Sequence, residues 1–346
     1  MFDPFPLVRP LLHALDPERA HEATLRALES GLVPGRRMQP DPLLAIELFG
    51  RPLCGPIGLA AGFDKNARVY ARMFAQGFSF VEVGGVTPLP QAGNPRPRVF
   101  RLPQDGAVIN RMGFPNEGAE IVAQRMRRIG RARGLTGVNL ASNTDSADPA
   151  RDFVTLVERF TPLADYLVLD VSCPNTQNGQ LFLDPSRLRD LLARIESSGR
   201  RAPLLAKLSP DIDDALLERL VAVLLQARID GIIACNTTAQ RPRLHDAAAA
   251  ERGGLSGKPL FAPATRMLAT IRRMSGAAVP LIGVGGIGSG ADAYAKIRAG
   301  ACALQLYTAL IYMGTALVPR IEGELAALLR RDGFASVAQA VGADVR

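Results

Sequence analysis

The residues with chemical capacity in this chain cluster where extended apolar runs give way to turns. Two of its four lysines, Lys65 and Lys207, stand at such points, although the chain otherwise uses arginine for nearly all of its 41 basic residues. A lysine placed there can hold a carboxylate or stabilise a developing anion. Asn139, Asn175 and Asn236 occupy three more of these ends, and Asn110 lies in an insertion beside them. Each amide offers donors and an acceptor together, which suits a heterocycle with alternating N–H and C=O groups. Cys173 precedes Pro174 and Asn175 just past one run. An unperturbed thiol titrates near about 8.5, and an ammonium at Lys65 would lower that toward a usable general base. Cys54 and Cys302 read as small buried hydrophobes. Cys235, beside Asn236, reads as a backbone contact to a ring system. Gly283, Gly285, Gly286 and Gly288 close a late apolar run, where backbone N–H groups can approach a phosphate.

The elements that must position these residues follow from the hydrophobic pattern. Apolar runs at 55–62, 78–83, 137–140, 166–171, 204–208, 231–234, 280–284 and 303–307 alternate with helical patterns carrying charged outer faces. Eight β/α units predict a (β/α)8 TIM barrel, whose chemistry sits at the strand C-termini and whose phosphate site lies after strands 7 and 8. The G-x-G-x-x-G spacing at 283–288 follows seven such units and has no acidic residue about 20 positions on, so barrel phosphate binding is the better reading than a dinucleotide fold. The long, Pro-rich stretch 84–115 predicts a loop or hairpin over one mouth of the barrel, and 239–260 a second long loop.

Residues 1–40 read as a separate module ahead of a barrel at 41–346. Leu7, Leu11 and Leu15 share one helical face, Asp16-Pro17 reads as a cap and first turn, and Leu25, Leu28 and Leu32 mark a second amphipathic helix. Two uses fit such a pair: packing on the barrel, or interfacial contact with a membrane. The uncharged run 299–319 is long enough to span a bilayer but fits a strand and the start of a helix better.

Composition excludes several classes. The chain has 346 residues, 47% hydrophobic, and a net charge of +8. With 5% aromatics, no Trp and no recognition motif, nucleic-acid binding is not expected. Four Cys without a C-x-x-C pair and three scattered His predict neither a disulfide framework nor a metal centre. No secretory leader is expected from the first residues. Arg125, Arg127, Arg128, Arg131 and Arg133 read as a solvated helix face.

Several segments together resemble one known family. GLAAGFDK at 58–65, NRMGF at 110–114, SCPNT at 172–176, NTT at 236–238, GGLSGKPL at 253–260 and GVGGI at 283–287 are similar to dihydroorotate dehydrogenase, and the likeness runs along essentially the whole chain. The two N-terminal helices and the NRMGF segment resemble class 2, the quinone-dependent type. The resemblance implies FMN as hydride acceptor, dihydroorotate as donor, a membrane quinone as final acceptor, and a place in pyrimidine biosynthesis. It implies a peripheral position on the cytoplasmic side of the cell membrane, with the N-terminal helices lining a quinone tunnel; the sequence leaves the oligomeric state open, with a monomer favoured. Carried over by motif, Ala61, Gly62, Phe63, Asp64, Lys65, Gly85, Asn139, Asp170, Lys207, Cys235, Gly257, Gly286, Tyr307 and Thr308 would contact the cofactor. Lys65, Asn110, Arg111, Met112, Gly113, Phe114, Asp170, Asn175, Asn236 and Thr237 would hold substrate. Cys173 would be the base, with Lys65 beside it.

The chain departs from the family pattern at Cys173, where class 2 usually has Ser, and at Asp170, where the family usually has Asn. Gly85 replaces a usual Thr, and Ala141-Ser142-Asn143-Thr144 replaces a Gly-Lys-Asn-Lys type segment. An ionised Asp170 only accepts hydrogen bonds. At about 4 Å from an anionic ligand it would cost up to roughly 4 kcal/mol at intermediate dielectric, which predicts a neutral or averted side chain. These departures leave an alternative: a paralogous FMN oxidoreductase acting on another cyclic amide or using a soluble acceptor.

Overall fold

The computed structural model describes residues 3–36, 39–172, 175–176 and 179–345. Helix α1 spans Phe5–Ala14 and α2 spans Pro17–Glu29. Thirteen strands follow: β1 (Ile46–Leu48), β2 (Arg51–Leu53), β3 (Ile57–Leu59), β4 (Phe80–Val86), β5 (Val99–Leu102), β6 (Ala107–Asn110), β7 (Leu135–Leu140), β8 (Tyr166–Asp170), β9 (Leu204–Leu208), β10 (Gly231–Ala234), β11 (Gly254–Gly257), β12 (Leu281–Val284) and β13 (Ala303–Leu306). Strands β3, β4, β7, β8, β9, β10, β12 and β13 pair in parallel in that order and close on themselves. This is the TIM barrel, and every predicted apolar run supplies one of its strands. The strands are buried on both faces, so continuous runs of Val, Leu and Ile form them rather than alternating ones.

The barrel interior is packed at its N-terminal end. Phe80, Leu135, Tyr166, Val168, Leu205, Ile233 and Ile282 form a layer there, and the β1–β2 hairpin plugs it with Leu48 and Leu53. Glycine makes room for the largest rings: a Cβ at Gly137 would collide with the Tyr166 ring, and one at Gly58 with Phe80. The filled base leaves the C-terminal end of the strands to carry polar groups.

The insertion at 84–115 folds as a hairpin. Its strands β5 and β6 pair antiparallel, and β11 from the second long loop adds to β6. This three-stranded sheet stands over the C-terminal mouth and meets the N-terminal helices. Asp16 caps α2 by accepting from the N–H groups of Glu18 and Arg19, with Pro17 opening the first turn. Leu25 and Leu28 are buried, whereas Leu32 lies beyond the end of α2 and is 77% exposed. The periodicity of the leucines continued past a turn that Gly31 at φ +75° terminates.

The two helices are held differently. Arg68 binds both Glu22 and Glu29 of α2, and the buried Arg98 binds Glu18. The carbonyls at the C-terminal end of α1 accept from Arg101, at 3.0 Å for Leu12 and 3.1 Å for His13, with Leu15 completing the set. No residue of α1 is buried, and Leu7, Val8, Leu11 and Leu15 are exposed apolar side chains. Among the described residues no helix is long and apolar enough to cross a membrane; the run 299–319 forms β13 and the helix Thr308–Met313. Of the five clustered arginines, Arg127 and Arg128 are exposed on a helix, while Arg125 is drawn to Glu117 and the Asn66 carbonyl.

Candidate active site

A single cavity of about 1250 Å³ opens at the C-terminal end of the barrel and runs between α1, α2 and the hairpin sheet. It exceeds the ~300–1,000 Å³ of an ordinary small-molecule site and has room for more than one ligand. The strand ends deliver Ala61, Gly62, Phe63, Asp64, Lys65, Gly85, Asn139, Asp170, Lys207, Cys235, Asn236, Thr237, Gly286, Tyr307 and Thr308 to its wall. The hairpin and the remaining loops add Asn110, Met112, Gly113, Phe114, Asn175 and Gly257. Arg111 is the exception. It turns outward to Glu251 at 2.7 Å and stacks over the Phe100 ring at 4.6 Å, because alternation along the β6 extension sends neighbouring side chains to opposite faces. Cys173 lies outside the described residues.

Local structure explains the placement of each group. After β3 the Asp64 carboxylate accepts the backbone N–H groups of Arg68, Val69 and Tyr70, pinning the turn that carries Lys65. Burial raises the Asp64 carboxyl, and those N–H bonds oppose the rise. Asp64 therefore shapes the cavity wall rather than offering its charge to a ligand. Lys65 donates to the Gly62 carbonyl. Burial lowers its ammonium to about 8, with Arg98 adding to the drop and Glu18 resisting it. His21 of α2 faces the same space, its ring 5.4 Å from that of Phe63. Burial, with Lys65 nearby, drives its imidazole down to about 3, so it stays neutral.

The floor holds a buried polar network. Glu82 accepts from Asn139 Nδ2 at 2.9 Å and from Gln305 Nε2 at 2.7 Å. Asn139 is thereby turned so that its Oδ1 is buried without a partner in the protein. Asp170 lines the cavity and accepts from Asn236 Nδ2 at 2.9 Å, so it is not averted. It pairs in register with Lys207 on the next strand. Burial pushes its carboxyl up to about 6, against the pull of Lys207 and with a further push from Glu82. Sequence reading missed Glu82 and Gln305. The signal was present as an acid inside the apolar run 78–83, but only closure of the barrel shows that Glu82 reaches both Asn139 and Gln305.

The end of the cavity at Gly257 and Gly286 is built from backbone. Gly286 at φ +77° and Gly257 at φ +95° sit where L side chains are strained, and a Cβ on Gly286 would come within 2.6 Å of the Phe261 backbone. Thr308 Oγ1 bonds Ser256 Oγ at 2.9 Å beside them. Gly85 has a packing reason too: a Cβ there would meet the Phe114 ring at 2.6 Å. Ser142 is not on the cavity wall; its neighbour Asn143 braces the loop at Leu89 and Gln91.

The dihydroorotate dehydrogenase family model matches residues 43–329. This chain belongs to the dihydroorotate dehydrogenase family. The chain is 51% identical to the dihydroorotate dehydrogenase (quinone) of Rhodospirillum rubrum, over 100% of this chain and 96% of that one. It is 45% identical to the mitochondrial dihydroorotate dehydrogenase (quinone) of Oryza sativa, covering all of this chain and 81% of the relative. The crystal structure of the Eimeria tenella dihydroorotate dehydrogenase with ferulenol superposes with a TM-score of 0.92 at 36% identity, covering 96% of each chain. As a dihydroorotate dehydrogenase the chain is an oxidoreductase that converts dihydroorotate to orotate in pyrimidine biosynthesis. A paralogous enzyme with another substrate is not favoured. The family is flavin-dependent in general. The cavity fits such a group: the orphaned Asn139 Oδ1 awaits a donor from a polar ring edge, and the glycine cradle at 257 and 286 leaves backbone open to a phosphate.

Proposed function

We propose that this chain uses FMN to oxidise dihydroorotate and passes the electrons to a quinone that enters between α1 and α2. The observation that carries this reading is the continuity of the cavity, which joins the strand ends to the inner faces of both helices through Leu12, His13, Ala20, His21 and Leu25. Relatives with near-complete coverage are named as quinone enzymes, and its N-terminal helices line the cavity with Leu12, Ala20 and Leu25 beside the polar His13, Glu18 and His21.

Bound FMN would accept hydride from the ring carbon of dihydroorotate. The chain's own residues account for the rest. Gly257, Gly286, Tyr307 and Thr308 would hold the phosphate. Asn139 and Lys207 would meet the polar ring edge, where a fixed ammonium favours negative charge developing on the reduced ring. Asn110, Asn175, Asn236 and Thr237 would orient the substrate amides, and Lys65 would hold its carboxylate. Cys173 would take the proton from the carbon adjacent to the hydride donor, its thiolate favoured by the Lys65 ammonium.

Residues 1–40 act in this reading as the membrane-facing module and 41–346 as the FMN barrel. The exposed Leu7, Val8, Leu11 and Leu15 would seat α1 in the interface of the cytoplasmic leaflet, flanked by Met313 at 43% exposure. The monomer suits this geometry, since the apolar face is turned to lipid. An anaerobic absorbance spectrum before and after dihydroorotate tests the proposal. Prompt bleaching of a bound flavin, and return of colour with a short-chain quinone, is the expected result. A flavin that stays oxidised overturns the assignment of the residues, and a protein without flavin overturns the cofactor.

A further inference from the structure

The cavity floor gathers ionisable groups whose charges do not cancel. Glu82 on β4 is fully buried, and its two partners, Asn139 of β7 and Gln305 of β13, are neutral donors. Lys207 on β9 is 6% exposed and stands in register with Asp170 on β8. Beyond β10, Asn236 donates to Asp170. Among the described residues of this floor, the carboxylates of Asp170 and Glu82 therefore oppose the one ammonium of Lys207, a net charge of −1 when both acids are ionised. An anionic ligand, its carboxylate held by Lys65 and its ring amides at Asn236 and Thr237, brings a further negative charge beside that surplus in a poorly solvated space, where like charges repel strongly.

We propose that Asp170 takes up a proton when an anionic ligand enters, so that orotate is bound with a neutral carboxyl at Asp170 and is released as that proton is lost. This rests on the reading of the site as one that binds dihydroorotate and orotate. Asp170 is the group in the trio able to give way. Glu82 already accepts from two amide donors, Asn139 and Gln305, whereas Asp170 accepts from Asn236 and faces the cavity. Asp170 is already pushed up to about 6 by burial, so a further anion moves it across neutrality. The neutral carboxyl also gains an O–H donor, which the carboxylate lacks, toward a carbonyl or carboxylate of the ligand. Asp170 thus makes ligand affinity a function of pH, where an amide would supply a fixed donor.

The test is isothermal calorimetry of orotate binding to the flavin-loaded protein, near pH 7.5, in two buffers of different ionisation enthalpy. The difference in apparent heat counts protons taken up. We expect uptake approaching one proton and a Kd that rises about tenfold per pH unit above the free-state value for Asp170. Asp170→Asn is expected to abolish the uptake and flatten the Kd until Lys65 begins to lose its proton near about 8. Asp170→Ser gives the same comparison if the Asn variant does not fold. Orotate binding without proton uptake, or uptake that survives both variants, overturns this inference alone. Failure of orotate to bind at any pH, including about 5.5, below the raised value of Asp170, overturns the assignment of the site itself, and this inference with it.

Discussion

Arg68 ties α2 to the barrel through two glutamates, and replacing it by Met isolates what that link contributes. Its guanidinium makes four hydrogen bonds, two to Glu22 at 2.8 and 3.1 Å and two to Glu29 at 2.7 and 2.8 Å. The Arg68 side chain is 18% exposed, but the glutamates are 39% and 36% exposed. Fully exposed pairs contribute ~0.2–1 kcal/mol, and hydrogen bonds to charged groups up to ~3 kcal/mol. Two bidentate pairs of intermediate exposure therefore stabilise the docked helix by ~2 kcal/mol. That corresponds to about a 30-fold change in the local opening equilibrium. Met keeps the apolar stem, so the barrel core is unaffected. Native-state hydrogen exchange, read by mass spectrometry, resolves the effect by segment. Peptides covering 18–29 in Arg68→Met should exchange about 30-fold faster while those from β8 and β9 stay unchanged. The pH dependence has a definite sign. Arg68 holds both glutamates below the ordinary carboxylate range. Their contribution is complete above an unfolded value near 4.5 and is lost as pH falls through the lower folded values. Wild type and variant should thus converge in strong acid. Equal exchange of α2 in the two proteins, or uniform loosening of the whole chain, would refute the argument.

Three further outcomes follow from the geometry. Gly286→Ala places a Cβ within 2.6 Å of the Phe261 backbone and strains a φ of +77°, so the purified variant should retain at most about a tenth of the flavin of the parent, measured after denaturation. Leu11 is 71% exposed on α1; Leu11→Asp should leave thermal stability unchanged and weaken sedimentation with anionic lipid vesicles about tenfold or more, since burying one Leu contributes ~1.5–3 kcal/mol. Burial raises Glu322 from 4.5 to about 7, which disfavours its carboxylate. A raised acid stabilises the fold below its unfolded value and loses that contribution as pH rises through the folded one. Glu322→Gln should therefore gain ~1–2 kcal/mol relative to wild type between pH 5 and 8, after discounting for residual solvent, and a fixed difference in Tm across that window would count against the assignment.

Much of the barrel was legible because its strands are short apolar runs, most of them ended by Gly, Asn or Asp, and that punctuation survives in one dimension. The strand ends at Lys65, Asn139, Lys207 and Asn236 were readable for the same reason, since topology alone brings them to one face. The edges were less legible: the run at 55–62 contributes only Ile57–Leu59 as strand, because Pro56 lies in a bend before it and Gly62 at φ +99° lies in the turn after it. Rotations were not legible at all. Nothing in NRMGF tells that Arg111 swings to Glu251 while Asn110 and Met112 face the cavity. Nor does the sequence reveal Arg68, Arg98 and Arg101 as clamps, because their partners lie 39 to 89 positions away on a module whose docking depends on them. Asp170 was read as neutral or averted. It faces the cavity, and its charge state depends on neighbours that only the closed barrel supplies.

The contrast between the two N-terminal helices has a consequence for how they respond to ionic strength. α2 is fastened through pairs of opposite charge whose acidic ends touch solvent, so added salt screens it. α1 is fastened through a guanidinium on helix carbonyls and an imidazole on the Ile311 carbonyl, contacts between a donor and neutral dipoles that salt weakens far less. Concentrated electrolyte therefore loosens the inner wall of the cavity before its outer one. Three glutamates on α2, Glu18, Glu22 and Glu29, therefore make the inner helix the salt-sensitive one, while α1 stays in place.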